Sequence, residues 1–322
     1  MKTNVLRMEY EIFNRASTSI LRGVCMILIM LHHCYQQGIH YDISFNRVVS
    51  CVLKDAGFLC TGVFFLLSGY GLYLSMKQRS FVLSRNYIIN RFIKLFVPYG
   101  WYFFVAWGLA LGGALSYPAS LYDVFNFLLL STPQGEPIWF FIVIVFLYLF
   151  IFFSFSIKSV KQPVYILTLI ILIYAVVVRA SMIGLHWYNS VICFPVGTII
   201  ASKINVLKQY ANIRYLVLFG LFFLTLYPKG QCMVAILFSI STVIVMRLIP
   251  FQESVFYAWL KYIGNNSLLF FFSHCLGINI CPISPNQFGF VVYCMIIFVL
   301  SLAFTFLFSV LQKPVIKKLS LN

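Results

Sequence analysis

The feature that most constrains this chain is its succession of apolar runs. They fall at about 19–37, 56–76, 92–113, 137–157, 163–180, 187–203, 213–228, 231–249, 265–281 and 288–311. Each is close to the length that crosses roughly 30 Å of hydrocarbon. Inside lipid every backbone N–H and C=O must be bonded within the protein, so such runs have to be helices. The predicted fold is therefore an all-α, polytopic membrane bundle of about ten transmembrane helices. Composition agrees: of 322 residues, 62% are hydrophobic and 9% charged, against roughly 25% charged in soluble domains. Arg22 enters the first run directly and no small-residue cleavage site follows, which marks a retained helix rather than a signal peptide.

The net charge of +16, from 23 basic and 7 acidic residues, would suggest nucleic acid in a soluble protein. Here the basic residues sit between apolar segments, which points instead to membrane orientation and to anionic lipid or phosphate contacts. With a cytoplasmic N-terminus, the alternation of loops leaves only Arg47, Lys54, Arg179 and Lys229 on the outside. That asymmetry predicts that both termini are cytoplasmic. The chain reads as one membrane domain over 1–322, with a short cytoplasmic segment at 1–17 and no separate soluble domain. It is expected in the cell's cytoplasmic membrane as a multi-pass protein. Segment 120–131 reads as an interfacial or re-entrant helix. Nine cysteines contain no Cys-x-x-Cys pair, so they read as packing residues, with no metal site and no disulfide framework. No internal repeat is apparent, which weakens a transporter built of paired halves.

Chemistry is concentrated in a few stretches. Leu21–Cys34 reads LRGVCMILIMLHHC. Arg22 and His33 are eleven residues apart, which places them on one helical face some 16 Å apart, while His32 points about 80° away. A cation and an imidazole on one stripe of an apolar helix mark a functional interior. The plainer readings are a snorkelling arginine and a histidine satisfied within the bundle. Gly62–Gly71 suits close helix packing or a thin wall beside a ligand. Arg91 and Lys94 share a helical face at the cytoplasmic mouth of the third run. They suit a phosphate clamp and equally plain orientation charge. Glu136, before the fourth run, is a candidate partner for a histidine or a sugar hydroxyl, its plainer reading being a solvated loop carboxylate, and Trp139 near a helix end fits an aromatic belt. His274 follows Asn265 or Asn266, a predicted helix cap, by about nine residues. That gives it a depth similar to that of His33.

Taken in order, these stretches resemble the acyltransferase-3 family of integral membrane O-acyltransferases. Arg22 and His33 look like its helix-one motif, and Phe64–Tyr70 (FFLLSGY) is similar to its second-helix signature. Arg91-x-x-Lys94 with Pro98-Tyr99, Ile138-Trp139-Phe140, and Gly264–Ser267 running to His274 are similar to later segments. The resemblance implies transfer of an acyl group from cytoplasmic acyl-CoA, usually acetyl-CoA, to a hydroxyl near the outer side. The acceptor is then a cell-surface polysaccharide or its lipid-linked precursor. His33 would be the catalytic base, because a hydroxyl is a poor nucleophile until its proton is taken. Arg22, Arg91 and Lys94 would engage the donor, and Glu136, Trp139 and His274 the acceptor. The chain departs from the family pattern at Gly62, where an aspartate is common, at Lys94 for arginine, and at Pro137 for histidine. With no esterase-like domain appended, a one-protein reaction is expected. The same polar interior also fits a carrier or flippase for a glycan or small solute, or a non-catalytic assembly partner.

Overall fold

The computed structural model describes residues 15–115, 120–136, 138–157, 162–203, 231–248 and 254–320. Among these the secondary structure is helical, without a β-strand. The helices are α1 (Arg15–His40), α2 (Arg47–Leu53), α3 (Ala56–Lys77), α4 (Arg85–Leu111), α5 (Trp139–Ser156) and α6 (Pro163–Ala180). They continue with α7 (Cys193–Ser202), α8 (Gln231–Leu248), α9 (Val255–Asn265), α10 (Ser267–Ile280), α11 (Pro285–Phe288) and α12 (Phe290–Leu319). Among the described residues, six helical stretches are long and apolar enough to cross a membrane: α1, α2 joined with α3, α4, α5, α6 and α12. Helices α7, α10 and the described apolar part of α8 are shorter.

Local chemistry sets the helix limits. The expected run at 163–180 is α6, with Pro163 in the first turn, where its missing N–H costs nothing. Helix α4 starts earlier than the apolar run at 92–113, because Ser84 caps it by accepting the Tyr87 N–H at 3.1 Å. The helix thus carries its basic first turns beyond the apolar stretch. The run at 187–203 yields a shorter helix. A 3-10 turn covers Leu185–Trp187, and α7 begins only two residues before Pro195, which lacks the N–H an earlier start would need. The run at 265–281 is α10, and Asn266 occupies its N-cap position without a side-chain capping bond. Asn265 instead accepts from the Ser19 hydroxyl at 2.8 Å. The run at 213–228 lies outside the described residues. Segment 120–131 contains a 3-10 helix, Leu121–Phe127, rather than a regular α-helix.

The chain divides into two compact units. The first comprises Met1–Ile27, Phe58–Val82 and Phe153–Asn265; the second comprises Leu28–Gly57, Leu83–Phe152 and Asn266–Asn322. In the first, α1 and α9 approach through Gly23, which faces the Leu260 carbonyl, and Gly264, which faces the Ser19 carbonyl. Helices α3 and α7 approach in the same way: Gly69 faces the Phe194 carbonyl and Gly197 the Leu66 carbonyl. Gly69 therefore serves close packing, the small-residue device of membrane helices.

The second unit gathers α4, α10 and α12 around an aromatic core. Tyr99 is fully buried, stacked on Phe127 at 4.9 Å and on Phe141 at 4.8 Å. Its hydroxyl lies 3.0 Å from both the Phe127 and Ser131 carbonyls. One side chain on α4 thereby anchors the 127–131 stretch of the connection that leads to α5.

A histidine pair as candidate functional site

The candidate site lies in the second unit and begins with two adjacent residues of α1 whose fates differ. The Nδ1 of His32 is 2.7 Å from the Leu53 carbonyl oxygen at the end of α2. A carbonyl only accepts, so Nδ1 carries the proton and donates it. The other edge of the same ring rests on Gly57, where any Cβ would collide with it. His32 is thus fixed as a tie between α1 and the α2–α3 connection.

His33 points elsewhere, as the helical arithmetic requires. Its ring centroid is 5.1 Å from that of His274, with 66° between the planes. His274 is fully buried and His33 half-buried. The sequence placed the two at similar depth, and the structure brings them into contact. His274 is held by its own helix: Nδ1 lies 3.2 Å from the Phe270 carbonyl, so this nitrogen again carries the proton. Its Nε2 keeps a lone pair, met by the weakly donating Cys275 thiol at 3.7 Å. His33 alone of the pair keeps exposed surface, which suits it to meet a reactant while His274 fixes where its ring lies.

A row of rings leads away from the pair. Phe271 contacts His274 at 5.4 Å, Phe140 contacts Phe271 at 4.9 Å, and Trp139 contacts Phe140 at 5.9 Å. The Trp139-Phe140 segment is therefore joined to the histidines through Phe271, a residue that sequence reasoning did not single out. Its signal was present: Phe271 precedes His274 by three residues and shares its helical face. Trp139 is half-buried at the start of α5. Glu136 stands outside this row. It is exposed in a turn where its carbonyl accepts the Thr132 N–H at 2.8 Å and its own N–H donates to the Thr132 hydroxyl at 3.2 Å.

The basic residues are placed less uniformly. Arg22 is half-buried on α1, in the part that belongs to the first unit. Arg91 is half-buried on α4, its guanidinium 5.1 Å above the ring of buried Tyr87, one turn earlier. That contact holds a planar cation in a fixed attitude, as phosphate recognition requires. Lys94, three residues on, is exposed, as is Arg85 at the helix start. The arrangement offers one positioned guanidinium with exposed cations beside it, all on one helix.

Gly62 packs against Ser239, Cys193 and Ala235 within the first unit. At this position, where the resemblance makes an aspartate common, this chain has a contact too close for any larger side chain to enter without displacing these neighbours.

Comparison with known proteins gives one family. A family model described as an acyltransferase domain matches residues 16–310, nearly the whole chain. Neither the curated proteins nor the solved structures give a match.

Proposed function

Since the chain belongs to the acyltransferase-3 family, a family of membrane acyltransferases, we propose that it is an O-acyltransferase. In this reading it moves an acyl group, most simply acetyl, from cytoplasmic acyl-CoA to a hydroxyl of a cell-surface polysaccharide or its lipid-linked precursor. The proposed topology has about ten membrane crossings in one domain, with both termini cytoplasmic, in the cytoplasmic membrane.

The observation that carries the reading is the contact of half-buried His33 with buried His274, whose proton is fixed on its own helix. In the proposed step His33 takes the proton of the acceptor hydroxyl as the oxygen attacks the thioester carbonyl. The C–S bond breaks, and the proton passes from His33 to the departing thiolate, so the products are the ester and free CoA. General-base assistance of this kind is worth about 10²–10⁴ in rate. His274 acts by position, holding the His33 ring. Arg91, oriented by Tyr87, takes a donor phosphate, with Lys94 as a further cation, and Arg22 keeps the donor role that the helix-one motif implies. Trp139 lines the acceptor side, through the ring row that ends at His274, and Glu136, exposed in its turn, meets an acceptor hydroxyl.

The test is transfer of labelled acetyl from acetyl-CoA to the polysaccharide in membranes. His33→Ala should lower transfer by about 10²-fold or more, with the protein still inserted and folded. Undiminished transfer in that variant would refute the assignment of His33. Movement of a glycan across the membrane without any acetyl transfer would favour a carrier instead.

A further inference from the structure

The first unit contains a cavity that acyl transfer does not use. It measures about 510 Å³, within the range of small-molecule sites. It opens where α3, α5 and α7 end and α6 begins, so it stands at one end of four helices, the level of lipid headgroups. One wall is aromatic: Phe81 stacks on Phe155 at 5.5 Å and 25°, and Tyr73 meets both rings edge-on. The polar part is Gln162 and the exposed cation Lys203, with Ser202, whose hydroxyl donates to the Ile199 carbonyl at 2.8 Å, beside them.

The aromatic wall is built under strain. Ser80 and Phe81, neither a glycine, both have positive φ, 51° and 57°. The turn is closed by the Phe81 N–H on the Met76 carbonyl at 2.8 Å and the Ser80 N–H on the Lys77 carbonyl at 3.0 Å. Such a conformation persists where surrounding contacts over-determine it, and these residues gather at ligand sites. Here its product is the placement of one ring in the cavity wall.

An apolar path leads in. Tyr165 lines the cavity, and on the same helix Leu169, Leu172, Ile173 and Val176 are exposed. These positions recur at i, i+4, i+7, i+8 and i+11, which is one face. On a helix long and apolar enough to cross a membrane, that face meets acyl chains.

We propose that this cavity binds one anionic phospholipid. Its headgroup phosphate lies at Lys203 and Gln162, its glycerol region lies against Phe81, Phe155 and Tyr73, and its acyl chains follow the exposed face of α6. Charge selects the headgroup: a single lysine beside neutral hydrogen-bonding groups favours net negative charge over a zwitterion, and basic pockets between membrane helices are known sites for such lipids. The inference stands apart from the acyl-transfer reading and uses none of its residues.

The experiment adds phosphatidylglycerol or phosphatidylcholine to delipidated full-length protein and reads the bound fraction by native mass spectrometry. Wild-type protein should retain phosphatidylglycerol in preference. Lys203→Gln should reduce that preference by about fivefold, while Lys203→Arg restores it. Phe81→Ala should lower retention of both lipids. Equal retention of the two lipids by the wild type, or an unchanged preference in Lys203→Gln, would overturn the proposal. Displacement of bound phosphatidylglycerol by millimolar inorganic phosphate or by CoA would also overturn it, since a soluble phosphate would then be the occupant.

Discussion

The two units solve the same packing problem by different means. In lipid no hydrophobic force draws helices together, so association rests on van der Waals contact and on polar bonds. The first unit obtains contact by bringing backbones close, Gly23 and Gly264 on one seam and Gly69 and Gly197 on another. The second unit fills the space between its helices with rings, Tyr99, Phe127, Phe141 and Phe272. A glycine seam leaves no room for a side chain with chemistry. A ring-filled space accepts an imidazole in place of a phenyl, and the histidine pair stands in the second unit beside Phe270 and Phe271.

The largest effect should come from the seam. Gly264→Val puts branched carbon into the Ser19 carbonyl, which is backbone and cannot swing away. The variant should lose its monodisperse elution in detergent, and normal elution with unchanged melting would break the comparison. Phe272→Ala comes next. It opens a cavity in the ring-filled unit and should cost about 3–5 kcal/mol in an unfolding titration, without abolishing insertion. A loss as complete as that of Gly264→Val would show that the two units are equally unforgiving.

His32→Ala sharpens the contrast between neighbours on α1. It removes the bond to the Leu53 carbonyl and should lower stability by about 1–2 kcal/mol, the scale of interhelical hydrogen bonds in membranes. Acetyl transfer should survive when assayed well below the melting temperature. Loss of transfer with intact stability would exchange the roles given to His32 and His33. The smallest effect belongs to Tyr99→Phe, which keeps both ring stacks and deletes the hydroxyl that holds the Phe127–Ser131 connection. About 0.6 kcal/mol is expected, measured by the same titration. A change several times larger would make that hydroxyl, rather than the rings, the anchor.

Much of the fold was legible because hydropathy and length act locally. A run that must satisfy its backbone in lipid becomes a helix wherever it lies, and α3 and α6 match their expected spans almost to the residue. Discrepancies arise where a single neighbour decides. Ser84 lengthens α4 backward into its basic turns, and Asn265 accepts from Ser19 rather than capping α10. In the candidate site, His33 and His274 were visible as polar residues at matching depth. Phe271 and the tie of His32 were not, because both depend on what stands opposite the helix.

The sequence by itself determined that this is a helical membrane protein and which of its residues are costly enough in lipid to require a reason. Those are properties of one residue or one segment, fixed by transfer from water. Only the tertiary structure decided which of two adjacent histidines is structural and which meets His274. Neighbours on a helix differ by about 100° in direction, and direction acquires meaning only when another helix occupies it.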